Sequence, residues 1–117
     1  LHDAVAPVHS IFRKLNSSPD ELIEKAGPPQ TEAERKLARK LIFFPMAIKQ
    51  ATQELKPHFL CTYLFELATD FSSFYNQDKV MVPEVEVQGI RLLLCQTTQT
   101  YLEIGLEMLG IETLTEM

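Results

Sequence analysis

Apolar residues recur at three- and four-residue spacing along most of this chain, the period of helices buried along one face. Residues 4–14 set Val5, Val8, Ile11 and Phe12 on such a stripe and predict a short amphipathic helix, which Pro7 allows only if it begins near that residue. After a loop, Ser18, Pro19 and Glu21 predict a helix start: the serine caps, proline suits the first helical position, and the glutamate closes a capping box. Gly27, Pro28 and Pro29 stop that helix. Thr31 and Glu34 form a second capping box ahead of a stripe of Leu37, Ala38, Leu41 and Ile42, which Pro45 breaks or kinks after Phe44. Met46, Ala47, Ile48, Ala51 and Leu55 resume a helix that ends before Lys56 and Pro57.

Residues 58–75 carry the clearest stripe: Leu60, Tyr63, Leu64, Leu67, Ala68, Phe71, Phe74 and Tyr75. Residues 76–83 read as a loop. Glu84 or Glu86 opens the last long helix, with acidic residues at its positive end. Val87, Ile90, Leu94, Tyr101, Ile104 and Met108 mark its buried face, and Gly110 ends it, leaving residues 111–117 as a tail. The loop permits an antiparallel return, so Leu64, Leu67, Phe71, Leu94, Tyr101 and Met108 are expected to pack together between the two long helices. The fold class that follows is all-α, a helical bundle of four to five main helices. With 117 residues and only four glycines, the chain fits one domain able to bury a core without metals or disulfides.

Composition adds exclusions. Cys61 and Cys95 lie in apolar stretches and read as buried free thiols. No run is long enough to span a bilayer, and no basic-then-apolar leader opens the chain. Leu1 stands where a complete chain would have Met, so the sequence reads as a piece of a longer one. His2, His9 and His58 are scattered without ligand or triad spacing, and no phosphate-binding glycine loop is present, so no catalytic or metal-ligating residues are expected on this chain.

Net charge is −5, and it is uneven. Residues 1–60 hold nine Lys/Arg against seven Asp/Glu, and residues 61–117 hold two against nine. Any phosphate-facing surface therefore belongs to the first half, where Arg13, Lys14, Arg35, Lys36, Arg39 and Lys40 cluster. With Glu32 and Glu34 close by, the cations read first as an ordinary solvated helix face and only second as phosphate contacts. Tyr63, Phe71, Phe74 and Tyr75 have the chemistry to stack bases, but helical spacing also reads as core; Tyr75, at a helix end beside Asn76, is best placed for exposure.

Longer patterns resemble a known family. Tyr63-Leu64-Phe65-Glu66-Leu67-Ala68, followed by Phe71-Ser72-Ser73-Phe74-Tyr75, resembles the arginyl-tRNA synthetase helix reading Tyr-Leu-Tyr-x-Leu-Ala, then Phe-Asn-x-Phe-Tyr. Arg91-Leu92-Leu93-Leu94 is similar to that family's Arg-Leu-x-Leu helix start. Gly105-Leu106-Glu107-Met108-Leu109-Gly110-Ile111, closing at Met117, resembles its Gly-Leu-x-Leu-Leu-Gly-Ile tail. Upstream, Glu34 to Leu41 with Phe44-Pro45, and Val8 to Lys14, are similar to its earlier helices.

The resemblance implies that residues 1–117 form a single anticodon-binding (DALR-like) domain, of the type found in class I aminoacyl-tRNA synthetases, at the C-terminal end of a longer chain. It implies recognition of the anticodon loop of arginine tRNA by part of a cytoplasmic arginine–tRNA ligase. A catalytic domain upstream would use ATP and Mg, and no cofactor would sit on this domain. Tyr75 and Met117 match family positions that line the anticodon pocket. Arg13 and Lys14, with Arg39 and Lys40, would serve phosphates. Asp3, Pro7, Ser72 and Glu116 depart from the pattern by removing polar or basic groups. They leave open an alternative: a diverged DALR-like domain outside a synthetase, acting as a tRNA-recognition adaptor or protein-interaction module.

Overall fold

A computed structural model describes the backbone of residues 19–116 and the side chains of residues 20–110. The expected helix over residues 4–14 and the Ser18 cap lie outside these residues. Among the described residues five helices follow one another: α1 (Pro19–Ile23), α2 (Glu32–Ile42), α3 (Phe44–Thr52), α4 (Pro57–Gln77) and α5 (Val85–Glu116). The described residues contain no strand, so the fold is all-α as the periodicity predicted.

Local chemistry sets the boundaries. The Thr31–Glu34 capping box forms: Thr31 Oγ1 accepts from the Glu34 amide at 3.0 Å, and Glu34 Oε1 accepts from the Thr31 amide at 2.8 Å. These contacts satisfy amides that have no partner in the first turn. The break between α2 and α3 falls at Phe43, before Phe44 rather than after it, because Pro45 sits in the first turn of α3, where a missing N–H costs little. Helix α3 stops at Thr52 and never reaches Leu55. Leu55 has a φ of 56° and is 80% exposed, so it belongs to the reversal between α3 and α4 and not to the apolar stripe. Met46, expected on the same stripe, is also exposed.

Helix α4 is the central element, packed against α2, α3 and α5. Leu60, Tyr63, Leu64, Leu67, Phe71 and Phe74 are buried, while Ala68 and Tyr75 are half-buried. Burial of each large side chain stabilises the fold by about 1.5–3 kcal/mol. The expected cluster forms, with Leu64, Leu67, Phe71 and Leu94 inside and Tyr101 and Met108 packed on its edge. The Tyr101 ring stacks on Phe44 at 4.0 Å between centroids.

The stripe of α5 is rotated from the expected one. Leu92, Cys95, Thr98 and Leu102 are its most deeply buried positions, whereas Ile104 is exposed and Val87 half-buried. A threonine does not count towards an apolar stripe, yet the Thr98 hydroxyl donates to the Leu94 carbonyl at 2.7 Å and needs no other partner. Two glycines let α5 approach its neighbours. A Cβ on Gly89 would lie 2.7 Å from the Leu22 carbonyl oxygen and 2.8 Å from Ala26 Cα, and one on Gly105 would meet Leu64 Cδ2 at 2.6 Å. Gly110 does not end the helix: its φ is not positive, and α5 continues to Glu116. Glycine permits a stop without enforcing one, and no proline follows.

Candidate nucleic-acid interface

The end of α4 presents Tyr75. Its ring lies 5.7 Å from that of Phe71, so one side rests on the core. Tyr75 also borders a depression of about 220 Å³ lined by Lys79, Val80 and Met81 of the following loop. Val80 is buried, Met81 is 48% exposed and Lys79 is exposed. An aromatic face beside a cation and a flexible thioether suits a planar, electron-rich ring. Sequence reasoning singled out Tyr75 but not Lys79, one of only two cations in the second half of the chain.

A polar node anchors this end of the bundle. Arg91 Nε of α5 donates to Glu34 Oε2 at 2.8 Å, and its Nη1 donates to the Lys79 carbonyl at 2.6 Å. Its Nη2 stands 4.0 Å from Asp78 Oδ1. Thr31 Oγ1 donates to Asp78 Oδ2 at 2.5 Å, and Glu34 Oε1 also accepts the Gln30 amide at 2.7 Å. Glu34 is therefore a buried, fully engaged carboxylate, 1% exposed, and not part of a solvated face. Burial pushes its pKa up, but the Arg91, Thr31 and Gln30 hydrogen bonds outweigh that and hold it below the usual carboxylate value.

The remaining sequence candidates are dispersed. Arg13, Lys14 and Met117 lie outside the described residues. Arg39 reaches Glu32 at 3.5 Å, and Arg35 reaches the same carboxylate at 3.1 Å. Lys40 Nζ lies 2.5 Å from Glu66 Oε1 and 5.5 Å from the centre of the Tyr63 ring. Lys36 is 3.6 Å from Asp70. The first-half cations on α2 are thus matched to carboxylates, two of them on α4. Glu66 and Tyr75 are nine residues apart on one helix, hence about 13 Å along its axis and about half a turn around it. The structure does not bring Lys40 together with Tyr75.

The end of α5 is also remote from Tyr75. Gly105 meets Leu64 while Arg91 meets Asp78 and Lys79, so α4 and α5 run antiparallel. From that crossing Glu116 lies eleven residues one way and Tyr75 eleven residues the other, a separation of about 30 Å.

Of the other aromatics, Tyr63, Phe71 and Phe74 are core. The Tyr63 hydroxyl donates to the Lys40 carbonyl at 2.5 Å, and burial holds its pKa well above the ordinary value. Three further phenylalanines are exposed: Phe43, Phe59 and Phe65. Phe43, Met46 and Phe59 line a groove of about 290 Å³ with Lys40, Tyr63 and Glu66. Both cysteines are free; Cys95 is buried as expected, but Cys61 is only half-buried. Among the described residues, no group of three or more His, Cys, Asp or Glu is placed to hold a metal ion. No helix there is long and apolar enough to cross a membrane.

The family model described as the DALR anticodon binding domain matches residues 1–117. The chain belongs to that family. Curated relatives of this DALR domain carry the name arginine–tRNA ligase. That of Vibrio parahaemolyticus is 43% identical over 117 residues, covering 97% of this chain and 20% of the relative. That of Thermobifida fusca is 42% identical over 120 residues, covering all of this chain and 20% of the relative. That of Mannheimia succiniciproducens is 38% identical over 114 residues, covering 97% and 20%. The DALR domain thus spans about one fifth of the length of the relatives it matches.

Proposed function

We propose that this domain recognises the anticodon loop of arginine tRNA as the C-terminal part of a cytoplasmic arginine–tRNA ligase, the ATP- and Mg-dependent attachment of arginine being carried out by a catalytic domain upstream. The observation that carries the reading is the match of residues 1–117 to an anticodon-binding family, in a chain whose relatives are named arginine–tRNA ligase. Its support in the structure is Tyr75, half-buried and bordering an open depression. Tyr75 is the base-contacting residue in this proposal. Met117 adjoins a helix end about 30 Å from Tyr75, so any contact it makes is to a separate nucleotide and not to the base at Tyr75; Arg13 and Lys14 serve the backbone phosphates. Arg39 and Lys40 would contribute only after exchanging Glu32 and Glu66 for phosphate oxygens. The test is a binding titration with arginine tRNA and with a variant changed at the middle anticodon base. The reading expects weaker binding of the variant; equal affinity contradicts it.

A second reading, a protein-interaction module outside a synthetase, is favoured by the exposed Phe43, Met46, Phe59 and Phe65 around the Lys40–Glu66 pair. Absence of any arginine tRNA binding in the same titration would support it.

A further inference from the structure

The loop over residues 78–84 has little backbone pairing of its own: Val82 donates to the Val80 carbonyl at 3.0 Å, and Asp78 donates back to Phe74 at 2.8 Å. Its shape is set from outside, by side chains of α2 and α5. We propose that Arg91 is a positioning residue that locks this loop, and with it Lys79 and Met81, against Tyr75, so that it governs discrimination among bases and not attraction for phosphates. The proposal rests on the anticodon-loop reading for the identity of the ligand, but the lock itself is a statement about this fold.

The geometry suits arginine and no other side chain. A planar guanidinium directs separate N–H groups to the Glu34 carboxylate and to the Lys79 carbonyl, 2.8 Å and 2.6 Å away. Lysine would offer one compact charge and could not span both partners in the same way. The bond to the Lys79 carbonyl fixes the peptide on which the Lys79 and Val80 side chains diverge, one exposed and the other buried, both bordering the depression at Tyr75. Glu34 cannot swing with Arg91, because its other oxygen is held by the Gln30 and Thr31 amides at the start of α2. Thr31 in turn holds Asp78, the residue that ends α4. Four chain segments therefore meet at one arginine whose side chain is 13% exposed, too enclosed to serve phosphates itself.

Two measurements on Arg91→Gln and Arg91→Lys test this. Without RNA, hydrogen exchange at the Asp78 and Val82 amides, the bonded N–H groups at this loop, should quicken by about tenfold or more, while amides in the middle of α4 keep their rates. With RNA, the affinity ratio between arginine tRNA and its middle-base variant should fall towards one for both substitutions, with the salt dependence of binding unchanged. Asp78→Asn, which leaves the Arg91–Glu34 pair in place, should show the same pattern more weakly, and it carries the test if Arg91→Gln does not fold. Exchange that quickens alike throughout the domain, or a ratio that survives substitution, overturns the proposal. A wild-type domain without base preference would instead refute the anticodon reading, leaving the exchange measurement to decide whether the lock exists.

Discussion

Substituting Glu34 probes the fold where its sequence-local and long-range links meet. The carboxylate accepts three hydrogen bonds, from the Gln30 and Thr31 amides and from Arg91, and it is 1% exposed. Glu34→Ala removes all three and leaves a nearly enclosed arginine charge with only the Lys79 carbonyl and the more distant Asp78 carboxylate, 4.0 Å away. The two amide bonds contribute about 1 kcal/mol each, and the charge-assisted bond about 1.5–3 kcal/mol. Breaking such a pair from one side typically costs about 3–5 kcal/mol, the loss expected here. Glu34→Gln keeps an oxygen for the amides but turns an NH2 or a neutral oxygen towards Arg91, so about 1.5–3 kcal/mol is expected. Acid gives an independent check. The folded-state pKa of Glu34 lies below its unfolded value. Its contribution is therefore fully present above the unfolded value of about 4.3 and is lost as pH falls through the folded one. Chemical denaturation at neutral pH and near pH 3.5 should show wild type and Glu34→Gln converging in acid. A midpoint unchanged at neutral pH, or a gap that does not narrow in acid, would refute this account of the node.

Other positions offer sharper tests of packing. Gly89→Ala should destabilise by about 1–3 kcal/mol in the same denaturation assay, because the new methyl meets backbone of α1 that cannot rotate aside. Leu55→Gly should stabilise by about 0.5–1 kcal/mol, relief of a left-handed leucine (about 1–2 kcal/mol) exceeding the added freedom of the unfolded chain. In thiol titration Cys61 should react with native protein and Cys95 only after denaturation, since Cys95 is fully buried and burial raises its pKa to about 12.

The parts of this fold that depend on neighbours in sequence could be read from the chain. The Thr31–Glu34 box and the α4 stripe link residues within four positions of one another along the chain, and both formed where expected, while the break at Pro45 formed one residue earlier than expected. What required three dimensions was less accessible. Glu34 and Arg91 are 57 residues apart, and the capping role already accounted for the glutamate, so nothing pointed to its second partner. The α5 stripe is legible in part: Ile90 and Leu94 are buried as expected, but the inward face also includes Thr98 and the packing glycines Gly89 and Gly105, which an apolar count passes over. Leu55 looked like the last member of a stripe, but a helix that must reverse before Pro57 has no room for it. At the candidate interface, the aromatic could be chosen by its place at a helix end. Lys79 and Met81 became its neighbours only through the loop that Arg91 holds.

Replacing Tyr75 by alanine and repeating the tRNA titration over a range of salt tests the central claim most directly. Tyr75 is half-buried at the rim of the core, so the fold should survive with little change in melting temperature. Affinity for arginine tRNA should fall by about 1–3 kcal/mol of lost stacking, with the salt slope unchanged because no phosphate contact is removed. Unaltered affinity, or loss of the folded domain itself, would contradict the claim that this ring reads a base.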